Sequence, residues 1–137
     1  MNDTPLTGSC LCGAIRYQVT QIATTMAHCH CSMCRKFHGA AFSTFCEAKK
    51  EDLQWLTGED KLRSYIAPNG TCRQFCNDCG SSMTFASSDA TGELIEFATA
   101  TLDCDLPANP DAHIYTESQV DWFNPNDGLP KYKAGRE

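Results

Sequence analysis

Three short runs, Cys10-Leu11-Cys12, Cys29-His30-Cys31-Ser32-Met33-Cys34 and Cys76-Asn77-Asp78-Cys79-Gly80, hold seven of the chain's ten cysteines. Thiolates are soft donors that suit zinc. Four of them close a tetrahedral site, and three leave a coordination position open for a water or a substrate. Seven clustered thiols therefore divide into four plus three, one closed site and one open.

Spacing indicates how each run folds onto a cation. The two-residue spacer of Cys76-Asn77-Asp78-Cys79 lets the chain turn as a knuckle with both sulfurs converging, and Gly80 suits the positive φ of such a turn. In extended chain, Cys10 and Cys12 point to the same side, and Gly13 follows them as Gly80 follows Cys79. These two runs pair into one four-thiolate site that ties the amino terminus to a segment more than sixty residues away. A metal bound only by the folded chain adds its binding energy to folding. In the central run, Cys29, Cys31 and Cys34 cap one face of a tetrahedron. Closure by His28, His30, His38, Cys46, Cys72 or Cys104 would make that site structural too.

A disulfide framework is the competing use of ten cysteines. The first nine residues, MNDTPLTGS, lack the basic start and apolar core of a secretory leader. No apolar run approaches the roughly 18 residues of a membrane span. The expected compartment is the reducing cytoplasm, where clustered cysteines bind metal more often than they pair. With 137 residues, 42 % of them hydrophobic, the chain reads as a single domain over 1–137. Its formal charge of −6 argues against nucleic acid as a partner.

The elements that must position these thiols read as strands. Ile15, Tyr17 and Val19 alternate with Arg16 and Gln18. Further strands are expected over 40–48, 62–67, 83–86, 94–101 and 113–117, with Ile95, Phe97 and Thr99 sharing one face. Turn signals at 57–60, 68–70, 90–92, 107–110 and 124–128 separate them. Short helices are expected over Ser32–His38 and 50–53. The fold class is mainly β, with a few short helices and metal supplementing a small core.

The run Gly8-Ser9-Cys10-Leu11-Cys12-Gly13 with Ile15-Arg16-Tyr17 resembles the opening of the glutathione-dependent formaldehyde-activating enzyme and centromere protein V family. The resemblance continues in His28-Cys29-His30-Cys31-Ser32-Met33-Cys34-Arg35-Lys36 with Gly39 and Phe42, and in Arg73-Gln74-Phe75-Cys76-Asn77-Asp78-Cys79-Gly80-Ser81. It closes with His113-Ile114-Tyr115-Thr116-Glu117-Ser118, Trp122 and Asp127-Gly128-Leu129-Pro130.

The resemblance implies a small zinc-stapled β-sheet fold related to that of methionine sulfoxide reductase B, with two zinc ions per chain. It places one zinc on Cys10, Cys12, Cys76 and Cys79 and the other on Cys29, Cys31 and Cys34. Cys46, Cys72 and Cys104 lie outside the family pattern and are expected to be small buried hydrophobes. The implied activity is that of a carbon–sulfur lyase run in reverse. It condenses formaldehyde, or a related aldehyde, with glutathione or another small thiol to S-(hydroxymethyl)glutathione. Within that chemistry His30 or His38 is the expected proton donor, and Arg35, Lys36 and Arg73 are expected to receive substrate carboxylates. Trp122 and His113 are expected to be structural. The alternative is a non-catalytic zinc-stabilised binding or thiol-carrier module. No membrane partner is expected, and a homodimer is compatible with the sequence.

Overall fold

The computed structural model describes residues 4–136; the first three residues of the polar amino-terminal stretch, and residue 137, lie outside it. Ten strands and one α-helix follow in chain order. They are β1 (Leu6–Ser9), β2 (Arg16–Val19), β3 (Ala27–Cys29), α1 (Ser32–His38), β4 (Ser43–Lys49) and β5 (Leu53–Thr57). Then come β6 (Leu62–Ile66), β7 (Cys72–Cys76), β8 (Ser82–Ala86), β9 (Leu94–Ala98) and β10 (Ala112–Ile114), with short 3-10 turns between. The fold is mainly β, as the alternating pattern requires. Among the described residues, no helix is long and apolar enough to cross a membrane.

Contacts divide the described chain into two units, each made of two stretches. The first comprises residues 4–23 and Cys46–Leu106. In it β2 lies between β1 and β5, antiparallel to both, with Gly8 opposite Tyr17 and Tyr17 opposite Trp55. A second antiparallel run has the order β6-β7-β8-β9. Ile15, Tyr17, Val19, Met83 and Phe97 are fully buried here, each worth about 1.5–3 kcal/mol of burial. Edge-on contacts join Tyr17 to Trp55 at 5.6 Å and to Phe97 at 5.4 Å, and the Tyr17 hydroxyl meets Thr101 Oγ1 at 2.6 Å.

The second unit comprises Thr24–Phe45 and residues 107–136. Its β3 lies between β10, which runs parallel to it, and the start of β4, which is antiparallel with Cys29 opposite Ser43. Helix α1 occupies the range its sequence predicts and stops at Gly39, whose φ of 63° ends the helix in a left-handed cap.

Several strands differ from the sequence reading. Residues 40–42 belong to the turn after α1, so β4 begins at Ser43. The predicted strand over 94–101 ends at Ala98 in a 3-10 turn, and there Phe97, Ala98 and Thr99 are all buried, breaking the alternation. That over 113–117 ends at Ile114, because Tyr115 adopts a φ of 55° and starts another 3-10 turn. The predicted helix over 50–53 is a single 3-10 turn, Lys50–Asp52. Trp122 is not a core residue: it is 71 % exposed.

Gly58 links the fold to the first cysteine run. At φ 76°, it lies so close to residues 14 and 15 that an added Cβ would sit 2.2 Å from the Ala14 carbonyl oxygen. Backbone cannot yield as a flexible side chain does. Gly58→Ala is therefore expected to destabilise the protein by about 2 kcal/mol or more, read as a lowered midpoint in urea unfolding. A midpoint equal to wild type would contradict this packing.

Candidate metal centre

The first cysteine run follows β1 and the third bridges β7 and β8, all within the first unit. Both turn back in the same way. The Gly13 amide donates to the Cys10 carbonyl at 3.1 Å, and the Gly80 amide donates to the Cys76 carbonyl at 2.8 Å. Gly13 and Gly80 both sit at φ 80°, with nothing within 4 Å of a Cβ built on Gly80. Backbone conformation, not space, is what demands glycine there. Two further bonds hold the knuckles together: the Leu11 amide donates to Ser81 Oγ at 2.8 Å, and Ser81 Oγ lies 3.2 Å from Cys79 Sγ.

The four sulfurs of Cys10, Cys12, Cys76 and Cys79 lie within 4.8 Å of one another. Cys10 to Cys12 measures 3.6 Å and Cys12 to Cys76 measures 3.8 Å. A tetrahedral zinc with ligands at about 2.3 Å separates its sulfurs by about 3.8 Å. The donor set fits one such ion.

Electrostatics favour a cation there. Burial opposes ionisation of Cys79, but the Ser81 hydroxyl and amide, with the Cys12 amide, outweigh it and bring the thiol down to about 6. Burial likewise opposes ionisation of Cys10, and the Ile15 amide, 3.3 Å from its sulfur, with neighbouring thiols, lowers it. The other two go up. The Ala14 amide favours the Cys12 thiolate, but the adjoining Cys10 sulfur and burial push it to about 12; Cys76 is raised chiefly by burial. Four thiolates cannot share this volume without a positive charge among them.

The central run lies in the second unit. Cys29 ends β3, Cys31 caps α1, and Cys34 is buried in the first turn of that helix. The Cys34 thiol hydrogen-bonds Cys29 and, with burial, pushes the Cys29 thiol far above its usual range. Among the described residues, only the four-cysteine set brings three or more metal-ligand atoms within 4.8 Å of one another. Cys29, Cys31 and Cys34 share a segment but do not form such a set.

The histidines gather in the second unit. His30 and His113 are wholly buried, with His30 Nε2 2.8 Å from His113 Nδ1 and His113 Nε2 2.9 Å from Asp127 Oδ2. His28 Nδ1 meets Thr44 Oγ1 at 2.7 Å, and its ring packs against Phe42 and His113. Burial, then the neighbouring His113, lowers His30 to about 4. His30 is thus neutral at physiological pH and commits Nε2 to His113, which disfavours it as a proton donor. His38 is half-buried, edge-on to Phe37 and Phe45.

Of the predicted carboxylate receivers, Lys36 is exposed and Arg35 half-buried in α1. Arg73, in the first unit, is 4 % exposed with its guanidinium over the Phe85 ring at 5.2 Å. It braces β7 and offers no open face to a ligand. Cys46 is buried and accepts a hydrogen bond from Thr99; Cys72 is half-buried, and Cys104 is exposed rather than a buried hydrophobe. Sequence reasoning missed the pairing of His113 with Asp127. The segments carrying both were visible, but nothing local joins them.

Removing one ligand should cost both metal and fold. Cys76→Ser is expected to release one zinc per chain, read by metal analysis after dialysis. It should also lower stability by at least ~2 kcal/mol, since the binding energy is folding energy. Full metal content and an unchanged melting temperature would contradict the assignment.

A model of the family described as glutathione-dependent formaldehyde-activating enzyme matches residues 5–118. A Halomonas elongata protein that carries the same enzyme name provisionally is 30 % identical over 124 residues, covering 85 % of this chain and 78 % of its own. A Schizosaccharomyces pombe protein named as an uncharacterized lyase is 28 % identical over 79 residues, 58 % of this chain and 56 % of its own. The crystal structure of a Rhodobacter sphaeroides protein matches with a TM-score of 0.62 and 22 % identity, covering 91 % of this chain and 98 % of that one. At that identity the likeness speaks for the fold alone. The centromere side of the resemblance has no counterpart among these relatives. The chain belongs to the glutathione-dependent formaldehyde-activating enzyme family.

Proposed function

We propose that the protein is a zinc-dependent carbon–sulfur lyase that joins glutathione to formaldehyde, or acts on a related thiol adduct. The observation that carries the reading is the contrast between the two cysteine sets. One is four sulfurs already gathered within 4.8 Å. The other is three thiols on a strand-to-helix corner, with Arg35 and Lys36 directly after the last. Cys10, Cys12, Cys76 and Cys79 would hold a structural zinc, and Cys29, Cys31 and Cys34 a second. Three clustered thiols leave one position of a tetrahedral zinc for an outside thiol. A zinc ion held there supplies one thing, the deprotonation of an added thiol at neutral pH.

The chain's own residues do the rest. Arg35 and Lys36 receive the carboxylates of glutathione and hold its sulfur beside the corner. The thiol gives up its proton, and a sulfur lone pair forms the new bond to the formaldehyde carbon. The π pair of the carbonyl moves onto oxygen, which takes up a proton to become the hydroxymethyl group. His38 is the histidine left to return that proton, since His30 is buried and engaged.

Thiols add to formaldehyde unaided, so the test must separate catalysis from background. Exchange of label between free formaldehyde and S-(hydroxymethyl)glutathione, followed by NMR at equilibrium, should accelerate with wild-type protein. Cys31→Ala should bring the rate back to the uncatalysed value. Arg35→Ala should raise the glutathione KM about tenfold, the worth of one charge-assisted hydrogen bond, with kcat little changed. A wild-type rate equal to background would overturn the enzyme reading; glutathione binding without acceleration would make the protein a thiol-carrier module.

A further inference from the structure

The buried histidine chain of the second unit has a direction. The Asp127 carboxylate only accepts, so the hydrogen between it and His113 sits on His113 Nε2. In the neutral ring His113 Nδ1 is then an acceptor, and His30 Nε2 must carry the hydrogen it receives. His30 is left with a bare Nδ1, fully buried and without a hydrogen-bond partner. Both ends of the chain are fixed. The Leu129 amide donates to Asp127 Oδ1 at 3.1 Å, the His113 amide donates to the Pro130 carbonyl, and the Tyr132 amide donates to the His113 carbonyl. His28 and Phe42 close over the His113 ring.

His30 stands between Cys29 and Cys31 in extended chain, its amide bonded to the Ile114 carbonyl at 2.9 Å. Side chains alternate there, so a ring locked into the interior turns the flanking residues to the other side. Leaving a polar atom such as His30 Nδ1 unpaired costs about 1–3 kcal/mol. A tripeptide that keeps this orientation despite that cost is held for a purpose.

We propose that Asp127 and His113 are positioning residues for the second metal site. They fix His30 in one tautomer and one orientation, and thereby present the thiols of Cys29 and Cys31 together for metal. The inference rests on the second-site reading above. Residues that hold ligands in place commonly contribute 10–100-fold to metal affinity.

The test uses the full chain loaded with zinc. Asp127 is 42 % exposed at its side chain, so Asp127→Ala removes a surface carboxylate and opens no cavity in the packed interior. Zinc per chain is measured against a competing chelator, and nitrogen-15 NMR of the histidine rings reports which nitrogen carries hydrogen. Asp127→Ala should bind the second zinc 10–100-fold more weakly while retaining the first, and His30 should lose its single-tautomer signature. Asp127→Asn, whose amide oxygen accepts the same bond, should recover most of the affinity. Wild-type affinity in Asp127→Ala, an asparagine no better than alanine, or loss of the first zinc as well would each overturn the proposal. One zinc in wild-type protein would remove the second-site reading and this inference together; two zincs with Asp127→Ala unchanged would remove this inference alone.

Discussion

Like charges crowded into a small volume are the constraint on which the first unit is built. Four sulfurs within 4.8 Å cannot all be thiolates unless a cation sits among them. The split is visible in the thiols themselves, two lowered and two raised. Everything nearby serves to hold that unfavourable group in place. Gly13 and Gly80 turn the chain, and Ser81 reaches across to both knuckles. The strands β1, β2, β7 and β8 are short, and a cation held by the four sulfurs would join segments that ladders of four or five residues alone would hold weakly.

The second unit presents its clustered cysteines differently. Its three thiols fall on the corner between β3 and α1, and two of them flank a buried histidine. Where the first unit surrounds its sulfurs with amide donors, the second surrounds its corner with aromatic and imidazole rings from β3, β4's approach and β10. Rings packed at about 5 Å leave little freedom to the tripeptide between them. Rigidity supplied by packing, not by a closed ligand set, is what the proposed thiol-receiving site would require.

The four-cysteine cluster was legible because each of its pairs is local: cysteines one or two residues apart can turn both sulfurs to the same side. So were β2, from its strict alternation, and α1, bounded by Cys31 and Gly39. Four strands were not. Leu6–Ser9 and Ala27–Cys29 are too short and too polar to show a period, and Leu53–Thr57 and Cys72–Cys76 are strands through their partners rather than their composition. Tyr115 ends β10 in a conformation nothing in its residue type announces. Arg73 could not be told from a surface arginine before the Phe85 ring was seen beneath it. The histidine chain was the least legible feature. His30 and His113 are 83 residues apart, and only the parallel pairing of β3 with β10 brings them together.

The central claim is that the two cysteine sets differ in kind, one closed and one open to a thiol. X-ray absorption at the zinc edge, with and without glutathione, on wild type and Cys31→Ala, tests it most directly. Two zincs per chain whose mean sulfur coordination rises when glutathione is added, with no such rise in Cys31→Ala, is the result this account predicts. Two zincs already four-coordinate by protein ligands and indifferent to glutathione would contradict it.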